Sequence, residues 1–161
     1  MSSFDRRACL LSLTALAGCG FSPIFATGPE AQGSTLRGRI DVAPPKDEEG
    51  FALVKRLEDR LGLPQAPDLS LTADIRLREQ VLGFLPDGEI SRVNVIGQVN
   101  WQLVSIAGND RVASGSERSF TSYSSTSTTV ATTFAQRDAR RRLMVILADR
   151  IVTDLFARDI S

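Results

Sequence analysis

Hydrophobic and polar residues change period several times along this chain, and each change marks an element. Residues 36–42 alternate, with Leu36, Ile40 and Val42 on one face, until Pro44-Pro45 stops them; this predicts a strand. From Asp47 the spacing becomes helical, with Phe51, Val54, Leu57 and Leu61 recurring before Gly62 and Pro64. Leu69, Leu71, Ala73, Ile75 and Leu77 then alternate with polar residues in a strand that runs on towards Phe84. Pro86-Asp87-Gly88 supplies a turn. Val93, Val95, Gly97, Val99, Trp101 and Leu103 form the apolar side of the next strand, and residues 112–123 form another after the Gly108-Asn109-Asp110 turn. Short turns between three successive strands predict an antiparallel meander.

The last predicted element is a helix over residues 130–157, about 42 Å long. Phe134, Met144, Leu147, Ala148, Ile151 and Leu155 share one stripe, with Asp138, Asp149 and Thr153 away from it. Residues 143–148 are apolar all round, which places Val145 and Ile146 off the stripe. A helix apolar on every side is buried on more than one side, so these two residues are either covered locally or reserved for a protein partner. Before this helix, 13 of the 20 residues 114–133 are Ser or Thr, a composition shared by disordered tracts. Here they read as strand, loop and helix start, because Thr and Tyr suit strands and Ser127, Thr128 and Thr129 suit a cap. The order β-α-β-β-β-α predicts an α+β fold, a two-layer sandwich with two helices on a four-stranded, mostly antiparallel sheet.

Composition narrows the chemistry. The 161 residues hold 19 basic and 19 acidic side chains, so the net positive charge usual in a nucleic-acid binder is missing. Histidine is absent, which removes imidazole bases, Ser-His and Cys-His nucleophile pairs and His-ligated metals. A carboxylate hydrolase would need two acids in one cleft, but Asp87 with Glu89 sits at a turn and Glu48 with Glu49 on a helix face. No catalytic residue, metal ligand or cofactor follows from the sequence.

The two cysteines, Cys9 and Cys19, both precede the domain. Arg6-Arg7 and the apolar residues 8–17 have the shape of a signal peptide, too short at about 15 Å to span a hydrocarbon core of about 30 Å. Leu16-Ala17-Gly18-Cys19 resembles the lipobox of bacterial lipoproteins. That resemblance implies cleavage before Cys19, diacylglycerol on its sulfur and an acyl chain on its new amino group. Several acyl chains anchor firmly where one would not. Gly20 after the cysteine implies, by the same resemblance, the outer membrane. Twin arginines also mark export of folded proteins, although Asp5 and Ala8-Cys9 match that signal poorly. The expected organisation is residues 1–18 as signal peptide, 19–34 as lipidated N-terminus and linker, and 35–161 as the domain. Removal of residues 1–18 leaves 17 basic against 18 acidic side chains.

Three features together resemble the lipopolysaccharide-assembly lipoprotein family LptE. They are the opening Cys19-Gly20-Phe21-Ser22-Pro23-Ile24-Phe25, the strand end Ser119-Phe120-Thr121-Ser122-Tyr123 before a Ser/Thr loop, and Phe134-Ala135 leading into an Arg-rich terminal helix. The resemblance implies a non-catalytic role as plug and assembly partner of the LptD β-barrel, with direct binding of lipopolysaccharide. An accessory subunit of another envelope lipid-transport complex is the alternative. Phosphates and acidic sugars call for Arg or Lys donors. Arg76 and Arg78 on one strand and Arg92 on the next, across the Pro86-Asp87-Gly88 turn, are the lipopolysaccharide candidates, with Arg111 and Arg118 on the strand after them. Arg137, Arg140 and Arg141, with Val145 and Ile146, are the candidates for partner contact. The competing reading leaves those arginines lying over the sheet edge beside Asp138.

Overall fold

Pro44 and Pro45 have no N–H to donate, so the first strand ends where they begin. The computed structural model describes residues 36–84, 90–125, 128–158 and 160. The signal segment, Cys19 and the linker to residue 34 lie outside the described residues, as do the Pro86-Asp87-Gly88 turn, Glu89 and Ser127. The elements are β1 (Ile40–Val42), α1 (Glu48–Leu61), β2 (Leu69–Phe84), β3 (Ile90–Ser105), β4 (Arg111–Ser124) and α2 (Thr129–Ala157). Sheet order is β1-β2-β3-β4, with β1 parallel to β2 and the other two pairs antiparallel. The expected α+β arrangement of two helices and four strands is the one found, with a mixed sheet.

The first strand is shorter than its alternation predicts. Gly38 takes φ 74°, a left-handed conformation that turns the chain, and its N–H donates to the Leu61 carbonyl at 3.0 Å. Leu36 is therefore buried from a turn at the C-terminal end of α1, and only Ile40–Val42 pair with β2. Asp47 caps α1 by accepting from the Gly50 N–H at 2.6 Å, and Gly62 closes it with φ 80°.

The buried side of α1 is Gly50, Leu53, Leu57 and Leu61. Phe51, expected inside, is 62% exposed, and Val54 is half-buried. Leu53 lies one turn before Leu57 just as Leu57 lies one turn before Leu61, and packing selects that four-residue row over the neighbouring one. Gly50 fits the same choice, because a Cβ there would lie 2.9 Å from Asp47 Oδ1.

β3 supplies the middle of the core. Val93, Val95, Val99, Trp101 and Leu103 are all buried beneath the helices, with Gly97 among them. A Cβ on Gly97 would come within 2.9 Å of Leu143 Cδ2 and 3.0 Å of Leu147 Cδ1, so this glycine sets how closely α2 approaches the sheet. Of the apolar stretch of α2, Leu143, Met144, Leu147 and Ala148 are buried against the sheet and α1, as are Ile151, Val152, Leu155 and Phe156 further on, whereas Val145 is half-buried and Ile146 is 36% exposed. Arg56 and Arg60 of α1 both reach Asp149 of α2, at 3.0 and 3.2 Å. Phe134 is the exception to the expected stripe, 66% exposed where α2 runs past the start of α1.

Candidate functional site

Successive residues of a strand point to opposite faces, so the register decides which side chains meet. Between the register shifts at Gly83 and Val104, odd-numbered residues of β2, β3 and β4 face the helices. Even-numbered ones form the open face. There Arg76, Gln98 and Arg118 lie side by side on three strands, and the next row is Arg78, Ile96 and Phe120. Arg76, Leu77, Arg78, Ile96, Gln98 and Arg118 line a shallow depression of about 400 Å³. Phe120 beside it is 62% exposed. Gln98 is held by Ser116 Oγ at 3.0 Å, and Arg76 pairs with Asp74 at 3.2 Å.

Arg76 and Arg78 thus lie together, as their spacing on one strand suggests, but Arg92 does not join them. It pairs with Gly83 and Ser124, four residues along β3 from Ile96, or about 13 Å. Arg118 takes that place instead. Counting residues between β2 and β3 already puts Arg92 opposite the end of β2. Arg118 is harder to find, because the register shifts between Leu103 and Val104 and a one-residue slip reverses the faces.

On the helix side, a charged network joins four elements. Arg140 of α2 binds Glu79 of β2 at 2.7 Å and Glu49 of α1 at 3.1 Å. Gln136 donates to Glu79 at 2.8 Å, and the Tyr123 hydroxyl of β4 donates to it at 3.2 Å. Burial alone would raise the Glu79 carboxyl, but donors from Arg140 and Gln136 and the guanidinium charge hold it below the ordinary carboxylate value. The same bonds raise Arg140. Burial first, and then the Glu79 charge, push the Tyr123 hydroxyl up.

The partner-contact candidates therefore separate. Arg140 is committed inside the fold, while Arg137 is exposed and Arg141 pairs with Asp138, at 2.7 Å, on the surface. Val145 is half-buried and Ile146 lies at the border of exposure. Phe51, Thr133, Gln136, Arg137 and Arg141 help line a cleft of about 570 Å³ where α2 passes α1, with Val130 and Phe134 exposed close by in sequence. No three potential metal ligands cluster among the described residues, and no described helix is long and apolar enough to cross a membrane.

This fold recurs in lipoproteins. A lipoprotein structure from Caulobacter crescentus CB15 is 21% identical, with a TM-score of 0.66 over 81% of this chain and 96% of that one. Rare lipoprotein B from Shewanella oneidensis is 15% identical, with a TM-score of 0.55 over 73% and 92%. A minor lipoprotein from Acinetobacter baumannii is 20% identical, with a TM-score of 0.52 over 73% and 88%. No curated protein matches the chain. The family model of LptE, lipopolysaccharide-assembly, matches residues 38–155, and the chain belongs to that family. The family is a non-enzymatic family of assembly lipoproteins, and membership implies lipopolysaccharide assembly with LptD at the outer membrane.

Proposed function

We propose that this chain is the lipid-anchored plug and assembly partner of LptD and that it handles lipopolysaccharide directly on the open face of its sheet. The observation that carries the proposal is the placement of Arg76, Arg78 and Arg118 around Ile96 and exposed Phe120. A guanidinium gives a phosphate two parallel charge-assisted hydrogen bonds. The apolar pair between the arginines offers contact to acyl chains. Such a mixed surface suits an anionic amphiphile better than a free anion.

Arg92 extends the cationic surface towards the end of the sheet. Arg137 and Arg141, with Val145 and Ile146, are proposed to meet the barrel wall, and Arg140 supports them from inside by holding Glu79 and Glu49. Cys19 is proposed to carry the acyl chains that keep the domain on the periplasmic side of the outer membrane.

The test is lipopolysaccharide affinity of the mature chain at low salt. Arg76→Glu with Arg78→Glu should weaken binding at least tenfold, the loss of about one bidentate contact, and Arg92→Glu should weaken it less. Equal affinity in the double variant and the parent removes the open face from the proposal. Copurification of LptD from solubilised outer membranes tests the partner separately.

A further inference from the structure

The two long edges of the sheet are finished differently. A residue in a strand aims its N–H and C=O to the same side, so the register also shows which backbone groups point outward. On β4 these belong to even-numbered residues, and α2 reaches across to two of them. Arg150 Nη1 donates to the Arg118 carbonyl at 2.6 Å, and Arg142 Nη2 donates to the Ser122 carbonyl at 3.4 Å. Arginines laid over an edge discourage the addition of a further strand.

On β2 the outward groups belong to odd-numbered residues. Leu69 N–H donates to the Arg39 carbonyl at 3.2 Å, and the Leu71 carbonyl accepts from Ala43 N–H at 2.9 Å. Pro44-Pro45 then diverts the chain into α1. Beyond that point the backbone groups of Ala73, Ile75, Leu77, Glu79 and Val81 have no hydrogen-bond partner among the described residues, over about 26 Å of edge. A cleft of about 210 Å³ opens beside the start of this edge, walled by Val42, Pro44, Leu53, Val54 and Ile75. Arg76 and Arg78 flank the edge on the open face, and Arg78 has no ion-pair partner among the described residues.

We propose that the outward edge of β2, residues 73–81, is a strand-addition site for an extended segment of the barrel partner. Main-chain hydrogen bonds would hold that segment. Side chains placed alternately would select it: apolar ones towards the cleft under α1, and at least one carboxylate on the other face beside Arg78. The inference rests on the reading of the chain as a partner of LptD.

Amide hydrogen exchange on the mature full chain, alone and in the copurified LptD complex, tests it. In the complex the amides of residues 73, 75, 77, 79 and 81 should slow at least tenfold, while those of residues 74, 76 and 78, already bonded to β3, change little. Ala73→Pro removes one outward donor at an exposed position without breaking a bond to β3, and should weaken the complex by about tenfold. An intact complex in which the odd-numbered amides exchange as they do in the free chain overturns the inference and leaves the partnership standing. So does protection already present in the free chain, as monomer or dimer, because the edge would then be filled by this protein's own chain. Failure of LptD to copurify overturns both readings.

Discussion

The part of the sheet beneath the helices and the part that projects beyond α1 are built from the same alternation, yet they have opposite fates. Beneath the helices Leu69, Leu71, Val99, Trp101 and Leu103 are buried. Towards the other end Val81, Leu82 and Phe84 are exposed on β2, as are Val130 and Phe134 on the overhanging start of α2. Alternation specifies that a strand forms and which residues share a face. Whether that face is covered depends on how far the opposite layer extends, and here α1 begins at Glu48, level with Arg140 and not with the start of α2. The difference leaves the apolar side chains of the projecting end uncovered by the described residues of this domain.

The largest contrast should appear in stability. Leu147→Ala removes a fully buried side chain that packs on the sheet at Gly97 and should cost about 3 kcal/mol, whereas Phe84→Ala should cost less than about 0.5 kcal/mol. Urea unfolding of both variants measures this, and equal losses would mean that the projecting end is packed after all. Next comes Gly115→Ala. A Cβ at that position would lie 2.7 Å from the rigid Trp101 ring, so the substitution should cost about 1–3 kcal/mol in the same assay. A neutral result would show that the ring has room to move.

The smallest effect belongs to the charged network at the boundary between the two parts. Glu79 is held below its ordinary value in the folded chain, so its stabilisation is complete above the usual carboxylate range and is lost as pH falls through the depressed value. Glu79→Gln should therefore destabilise by about 1 kcal/mol at neutral pH, modest because Arg140 is partly exposed, and the gap between variant and parent should close on acidification. A gap that stays constant with pH would assign the loss to packing rather than charge.

Much of this was legible in the residues. The period of two marked β2, β3 and β4, the helical period marked α1 and α2, and Asp47 and Gly62 marked the ends of α1. What escaped depended on partners distant in sequence. Phe51 and Leu53 both suit a helical stripe, and only the sheet and α2 choose between them. Arg140 resembles its neighbours Arg137 and Arg141 until β2 and α1 bring Glu79 and Glu49 to it. Asp149 reads as solvated surface until Arg56 and Arg60 arrive from α1. On the open face, Arg76 and Arg78 were visible as a pair, while Arg118 required a register that a single irregularity near Leu103 had shifted.

α2 contains neither proline nor glycine, and its 29 residues run without a break from the exposed turns at Val130 and Phe134 to the buried ones at Ile151 and Leu155. Mass action then connects its two ends. A partner that grips the exposed turns only when they are helical adds its own binding free energy to the folded state, and the added stability grows with the logarithm of partner concentration. The domain would be most resistant to unfolding once such a partner is bound, and proteases would meet the unbound chain as the softer target.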